Sequence, residues 1–530
     1  MTSRIIPGRY PPPGTSPIAD AIRVRRGPRG ITPLDAALLH VPPVAGGWNS
    51  LLGAVRTGGN LPGDVRELII LRVAAINRAA FEWIQHEPVG RTNGLTPAQL
   101  YVVRDTTTPL PPSPGILSPL QTAALLYADA STRDVKIGAS VTEALRTNLE
   151  AWAKKQGGDN MEEQTQDLLV EAAAVGATYN MVSRFLVALD VAGMSDDGVP
   201  WPIERKEHFI TIPEGGHTIH AVTLVSSPTA PWIAFTNSLL TDLSMWGYLI
   251  PFLLASSDST KRPYNILLHS QRGHGQSTLP SSATTIPSLA TDLTHLLAHL
   301  SIPTPLHAVI GVSQGGAAAL AVARSHAHLT RAVVACDTGP RTPAGNRAAW
   351  AGRVGLVHGV ADGAVGAEDI WGGEGNAELG KGAEYAAKVG MGHLAGVTVP
   401  RWFPAGSKCA TERAERHSWV AQMVERTPVA GFVAGAGALA EYDVSQADEN
   451  GKELYNSTIE RVLLVAGSLD GGGNVGKGLQ RLRDEWNAVR VASGQVAPVE
   501  YLEITGAGHL PMVDETERFA EALRGFLDAF

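Results

Sequence analysis

The pentapeptide Gly311-Val312-Ser313-Gln314-Gly315 constrains this chain more than any other stretch. It follows the apolar run Ala308-Val309-Ile310 and leads into Gly316-Ala317-Ala318-Ala319-Leu320-Ala321, which reads as a buried strand, a glycine-flanked serine and a small-residue helix. That order builds a nucleophile elbow, in which a sharp turn lifts the serine hydroxyl off the end of a strand while the glycines give the backbone room. The helix N-terminus behind Ser313 favours the negative charge that develops in acyl transfer. In a chain with 57 glycines the five-residue pattern recurs by chance, so its specificity comes from the strand before it and the helix after it.

Two partners follow in sequence. The apolar strand Val462-Leu463-Leu464-Val465-Ala466 runs into Gly467-Ser468-Leu469-Asp470, and Val499-Glu500-Tyr501-Leu502-Glu503-Ile504 runs into Gly506-Ala507-Gly508-His509. Serine, then acid, then histidine, each on a loop leaving the carboxyl end of a strand, is the order of an α/β-hydrolase. Asp470 would orient His509, and His509 would take the Ser313 proton. A turn-forming aspartate and a loop histidine beside glycines are the plainer readings, but neither accounts for both residues following strands. The competing acid is Asp337, which follows the Ala332–Ala335 strand, one strand too early.

A chain of 530 residues exceeds one ordinary domain, and the pattern changes near residue 200. Residues 1–32, rich in Pro, Gly and Arg, read as an extended arm, 33–192 as a helical domain and 193–204 as a linker. Residues 205–530 read as an α/β domain, beginning with the β-rich runs His208–Ile212, Thr218–Val225, Trp232–Thr236 and Asn265–His269, which alternate later with helices as in a mostly parallel sheet. Between about 340 and 455 the strand signal gives way to Gly and Ala, as a helical cap inserted before the acid-bearing strand would. A net charge of −8 without a basic run argues against nucleic acid as a partner. Cys336 and Cys409 make neither a disulfide framework nor a metal cluster, the start Met1–Pro7 lacks a signal-peptide core, and apolar runs are too short to span a bilayer. The expectation is a cytoplasmic enzyme without a membrane segment.

The second half resembles the 3-oxoadipate enol-lactonases. Asn237-Ser238-Leu239-Leu240 is similar to the family's Asn-Ser-Leu-Gly after the third strand, with Leu240 in place of the glycine. Arg272-Gly273-His274-Gly275-Gln276-Ser277 matches its Arg-Gly-His-Gly-x-Ser turn, although Ser270-Gln271 replace the usual Asp-Thr; Cys336-Asp337-Thr338-Gly339 and Arg401-Trp402-Phe403 also fit. The resemblance implies cofactor-free hydrolysis of a small acidic enol-lactone, with an oxyanion hole from the backbone N–H groups of Gln314 and Leu239. Arg401 and Trp402 are candidates for the substrate carboxylate, and equally for a packing unit. His274 reads as structural.

The first half resembles the carboxymuconolactone decarboxylases, whose helices carry Arg-Glu-Leu and then Glu-Trp-x-x-His. Here these are Arg66-Glu67-Leu68 and Glu82-Trp83-Ile84-Gln85-His86, and Leu117–Asp129 and Tyr179–Phe185 also fit. Glu82 and His86, four apart, share a helix face and can hydrogen-bond; a surface Glu–His pair is the bland reading, which the family pattern outweighs. The resemblance implies His86 as proton donor, Glu82 as its orienter and Glu67 behind them, with Arg72 and Arg184 as carboxylate clamps. A related peroxidase group carries Cys-x-x-Cys where this chain has Ala79 and Glu82, which removes thiol chemistry, and one histidine among scattered carboxylates makes no metal site.

The product of such a decarboxylase is the substrate of such a lactonase. The two resemblances together imply a bifunctional enzyme of protocatechuate breakdown by the β-ketoadipate route, without cofactor or metal, assembling as a homo-oligomer through its helical half. The alternatives are an esterase or lactonase of another pathway fused to an inactive helical oligomerisation module, or a related decarboxylase–lactonase pair acting elsewhere.

Overall fold

The computed structural model describes residues 5–157, 160–254, 262–358, 390–495 and 497–530. The chain forms two compact units, Met1–Pro202 and Ile203–Phe530.

The first unit is helical: α1 (Pro17–Arg26), α2 (Pro33–Leu38), α3 (Pro42–Thr57), α4 (Gly63–Ile76), α5 (Ala80–Thr92), α6 (Pro97–Arg104), α7 (Pro119–Arg133), α8 (Ala139–Gln156) and α9 (Met161–Ala188). Helix α4 is the axis of the unit. Its residues from Leu68 to Ala75 are all buried, because α5, α6, α7 and α9 surround it. A helix apolar all round can be stable only inside such a ring.

The expected extended arm is corrected here, since residues 17–26 are helical. Ser16 caps α1 by accepting from Ala19 N–H, Pro17 occupies the first turn, where it costs no hydrogen bond, and Gly27 ends the helix at φ 58°. Of the prolines that suggested an extended chain, Pro17 starts a helix, while residues 7–12 form neither helix nor strand. Ala19 and Ile22 bury its inner face. The segment expected as a linker is also held: Arg104 donates from Nε and Nη2 to the Val199 carbonyl, at 2.9 and 2.7 Å, and its guanidinium lies over the Trp201 ring.

The second unit is built on a sheet of β1 (Glu204–Thr211), β2 (Thr218–Val225), β3 (Trp232–Thr236), β4 (Asn265–His269), β5 (Leu306–Val312), β6 (Thr330–Cys336), β7 (Arg461–Gly467) and β8 (Val499–Ile504). Their order across the sheet is β1-β2-β4-β3-β5-β6-β7-β8. The pairs β1·β2 and β2·β4 are antiparallel, and every pair from β4 to β8 is parallel. Strands β3 to β7 read as continuous apolar runs because helices cover both faces, and β5 is buried at every position. The mostly parallel sheet and α/β class expected from the sequence are present.

Between β6 and β7 the chain is helical, with Asn346–His358, Met391–Trp402, Ala414–Arg426 and Val429–Ala440 as the principal helices. The base of this insertion is closed where Val444 N–H donates to the Pro340 carbonyl at 2.7 Å and Thr342 N–H to the Tyr442 carbonyl at 2.8 Å. The glycine-rich part of the expected cap, 359–389, lies outside the described residues.

Candidate active sites

Ser313 sits between β5 and the helix Gln314–Ser325, at φ 56° and ψ −119°. That is a strained conformation for a residue with a Cβ, held because the strand and helix on either side are packed. The turn is tight enough to demand its glycines. A Cβ on Gly311 would lie 2.2 Å from the Gly315 carbonyl oxygen, and one on Gly315 would lie 2.2 Å from that of Thr236.

Asp470 and His509 leave the carboxyl ends of β7 and β8, on the same edge of the parallel sheet as Ser313. Asp470 Oδ2 lies 2.8 Å from His509 Nδ1. Burial alone would raise the Asp470 carboxyl, but the His509 ring, by its charge and its hydrogen bond, carries it below the usual carboxylate value. Asp337 behaves in the opposite way. Its Oδ1 accepts Gly467 N–H at 2.8 Å, and burial, reinforced by the neighbouring Asp470 charge, pushes its carboxyl well up. Asp337, Asp470 and His509 each place one potential ligand atom within 4.8 Å of the others. The His509–Asp470 bond accounts for that cluster as an oriented imidazole.

The loop expected to complete an oxyanion hole is braced on several sides. Trp246 Nε1 donates to Asn237 Oδ1 at 2.7 Å, Asn237 Nδ2 to the His269 carbonyl at 2.6 Å, and Gln271 Nε2 to the Ser238 carbonyl at 2.8 Å. Leu240 adopts φ 70°, the region where glycine is at ease, which explains the glycine of the resembling family. Its N–H donates to His274 Nε2 at 3.2 Å, so the His274 proton is on Nδ1, facing the Arg272 carbonyl at 2.8 Å. Burial lowers the His274 ring to about 4, and it stays neutral as a brace. The Gln314 side chain reaches the cap, donating to the Gly435 carbonyl at 2.8 Å.

Trp402 lies against the histidine. Its carbonyl accepts His509 N–H at 2.8 Å, and the two rings stack with centroids 5.7 Å apart and planes at 24°. Arg401 is exposed, yet close enough to Asp470 to help hold that carboxyl down.

A second site lies within the helical unit, in a cavity of about 270 Å³ whose lining includes Glu67, Glu82, His86 and the arginines 26, 29, 56 and 66. Here three expectations are corrected. Glu82 does not orient His86; Glu67 Oε2 lies 2.7 Å from His86 Nδ1. Neither Glu82 oxygen has a hydrogen-bond partner among the described residues, although the side chain is buried. Burial therefore pushes the Glu82 carboxyl well up, with the Arg56 charge opposing weakly. Arg72 clamps no substrate. It is buried, with Nε and Nη2 on Asp129 Oδ1 at 2.9 and 2.6 Å and Nη1 on the carbonyls of Val103 and Asp105. Arg184 is exposed and not among the residues lining the cavity.

The cations that do face the cavity went unassigned in the sequence. Arg56 Nε donates to Tyr179 Oη at 2.6 Å, and both Tyr179 Oη and Arg56 Nη2 approach His86 Nε2, at 3.2 and 3.3 Å. Arg26 and Arg29 come from the arm and its junction with α2; Arg26 is also paired with Asp35 at 2.9 Å. No local pattern marks Arg56 as different from any other helical arginine. Tyr179 lies in a stretch that fits the family, without a mark of its own.

A model of the Alpha/beta hydrolase family matches residues 240–522, more than half of the chain. The chain belongs to the Alpha/beta hydrolase family. Residues 42–121 match the Carboxymuconolactone decarboxylase family, which places a decarboxylase-family domain ahead of the hydrolase. The hydrolase is similar to two proteins of Acinetobacter baylyi. It is 25% identical over 320 residues to 3-oxoadipate enol-lactonase 1, covering 60% of this chain and 97% of that protein. It is 25% identical over 305 residues to 3-oxoadipate enol-lactonase 2, covering 57% and 90%. Among solved structures, the enol-lactonase from Burkholderia xenovorans LB400 matches with a TM-score of 0.42 and 22% identity, over 60% of this chain and 99% of that one. This alpha/beta hydrolase is thus an enzyme with a decarboxylase-family domain attached.

Proposed function

We propose that this alpha/beta hydrolase is bifunctional, decarboxylating a carboxymuconolactone in its helical unit and hydrolysing the resulting 3-oxoadipate enol-lactone to 3-oxoadipate in its sheet unit, as a step of protocatechuate breakdown. The reading is carried by one observation. A single chain holds both a strained serine elbow with a His509–Asp470 pair and an arginine-lined cavity in a decarboxylase-family domain.

In the hydrolase, Ser313 Oγ attacks the lactone carbonyl as His509 takes its proton, and Asp470 holds the ring by Nδ1–H. The N–H groups of Gln314 and Leu239 receive the oxyanion. The ring oxygen leaves as an enolate, protonated by His509, and water then releases the acyl chain through the same base. An enolate leaves far more easily than an amide nitrogen, so the triad faces a low barrier. In the helical unit, the bond to the departing carboxylate breaks and its electron pair passes into the conjugated lactone carbonyl. The dienolate so formed takes one proton on carbon. Because the lactone itself accepts the electrons, the step calls for no cofactor. Self-association through the helical unit is part of the same reading.

Incubating the full chain with carboxymuconolactone isomers, while following carbon dioxide and 3-oxoadipate, tests both halves. Both products are expected in equal amounts. Hydrolysis of added enol-lactone with no carbon dioxide from any isomer would instead make the helical unit a scaffold.

A further inference from the structure

His86 is poorly placed to give a proton to a substrate. Arg56 can only donate, so the Nε2 atom it approaches at 3.3 Å must accept, and Tyr179 Oη, which receives Arg56 Nε, has its own proton free for the same atom. The imidazole proton is then on Nδ1, where Glu67 holds it at 2.7 Å. Burial lowers the His86 ring, despite the hydrogen bond and charge of Glu67, so the neutral form persists. Both ring nitrogens are engaged with the protein.

Glu82 is the opposite case. It lies one helical turn before His86, lines the same cavity, and is 2% exposed with both carboxyl oxygens unpartnered among the described residues. An ionised carboxylate without partners at such a site costs far more than a protonated one, and the protonated form can act as an acid at neutral pH. The remaining lining suits an anion. Arg26, Arg29, Arg56 and Arg66 line the cavity; Asp35 pairs with Arg26, and Glu67 with His86 and, at 3.6 Å, with Arg66, which leaves positive charge in excess at Arg29 and Arg56.

We propose that Glu82 is the acid that protonates the substrate carbon in this cavity, and that the arginines, Arg56 foremost, hold the carboxylates of a small polycarboxylate lactone. His86, Glu67 and Tyr179 become a positioning network that fixes Arg56. The proposal rests on the decarboxylase reading of the helical unit. The step balances: the carbon–carboxylate bond breaks, carbon dioxide leaves, the electron pair enters the lactone, and the Glu82 proton forms the new C–H bond. Glu82 leaves the step as a carboxylate and regains a proton from water once the product departs.

The test compares the full-length protein with Glu82→Gln, which keeps the shape of the side chain but has no acid proton. The kcat for carbon dioxide release should fall by about 10²–10⁴-fold while KM stays within a few-fold. Glu82→Asp, which retains the acid, should recover part of the rate. Independently of turnover, the infrared spectrum at pH 7 should contain a protonated-carboxyl band that Glu82→Gln removes and that shifts when carboxymuconolactone binds. Carbon dioxide release that survives Glu82→Gln, or absence of that band in the wild type, overturns the donor assignment alone. A wild-type protein that releases no carbon dioxide from any isomer overturns the decarboxylase reading and the donor assignment with it.

Discussion

Glu67 Oε2 and His86 Nδ1 meet at 2.7 Å from two different helices, nineteen residues apart in the chain, and both groups are buried. The contact ties α4 to α5 and sets the tautomer of the ring. Glu67→Gln should therefore loosen His86 and Arg56 together, raising KM for the lactone more than it lowers kcat. Steady-state carbon dioxide release measures that split, and a pure kcat loss would argue that Glu67 acts in the chemical step instead.

Burial of Glu82 also has a stability signature. Burial keeps its folded-state carboxyl protonated above the ordinary glutamate value of 4.5, where the unfolded chain ionises. The unfolded state thus binds fewer protons, and wild-type stability declines as pH rises from that value toward the folded one. Glu82→Gln lacks this decline, so its melting temperature should gain on that of the wild type as pH rises above 4.5. A domain of this size shifts by about 2–4 °C per kcal/mol. Parallel melting curves across that range would show that the carboxyl is solvated.

Ser313→Ala should lower enol-lactone hydrolysis by about 10⁴-fold or more and leave decarboxylation intact, so that enol-lactone accumulates. The accumulated intermediate is followed by chromatography. Hydrolysis at near-normal rate in this variant would remove Ser313 from the role of nucleophile.

The two aspartates near His509 should separate cleanly. Asp470→Asn presents the wrong partner to Nδ1 and should cost about 10⁴-fold in kcat. Asp337, whose carboxyl burial pushes up, receives Gly467 N–H through one oxygen, which an amide oxygen can also do. Asp337→Asn should accordingly keep kcat within about tenfold. Reversed effects on the hydrolysis rate would move the acid to the end of β6.

Leu240→Gly tests the strained loop. It relieves a left-handed backbone worth about 1–2 kcal/mol, but removes a fully buried side chain worth about 1.5–3 kcal/mol. Hydrolysis should persist, because the N–H to His274 remains, while stability falls slightly. Denaturant unfolding reads the balance, and a large gain in stability would mean that strain dominates.

Much of the hydrolase was legible because its signals are local. The strand, turn and helix around Ser313 occupy one short stretch, and the run ending at Gly467 is apolar because both faces of a parallel sheet are covered, whereas the edge strand ending at Ile504 keeps two glutamates and is marked only by its alternation. Even Leu240 was visible as a departure, though only the backbone angle shows what the departure demands. The helical site was legible as a set of residues and illegible as a network. Spacing of four within α5 suggested Glu82 for His86, whereas the packing of α4 on α5 turned Glu67 toward the ring and left Glu82 buried beside the cavity without a partner among the described residues. The same packing buried Arg72 on Asp129, across fifty-seven residues, and brought Arg56 to Tyr179 across one hundred and twenty-three. Periodicity records which side of a helix is apolar, while the partner of a buried charge depends on the rotation and offset of helices from distant parts of the chain. That choice is made only when they pack.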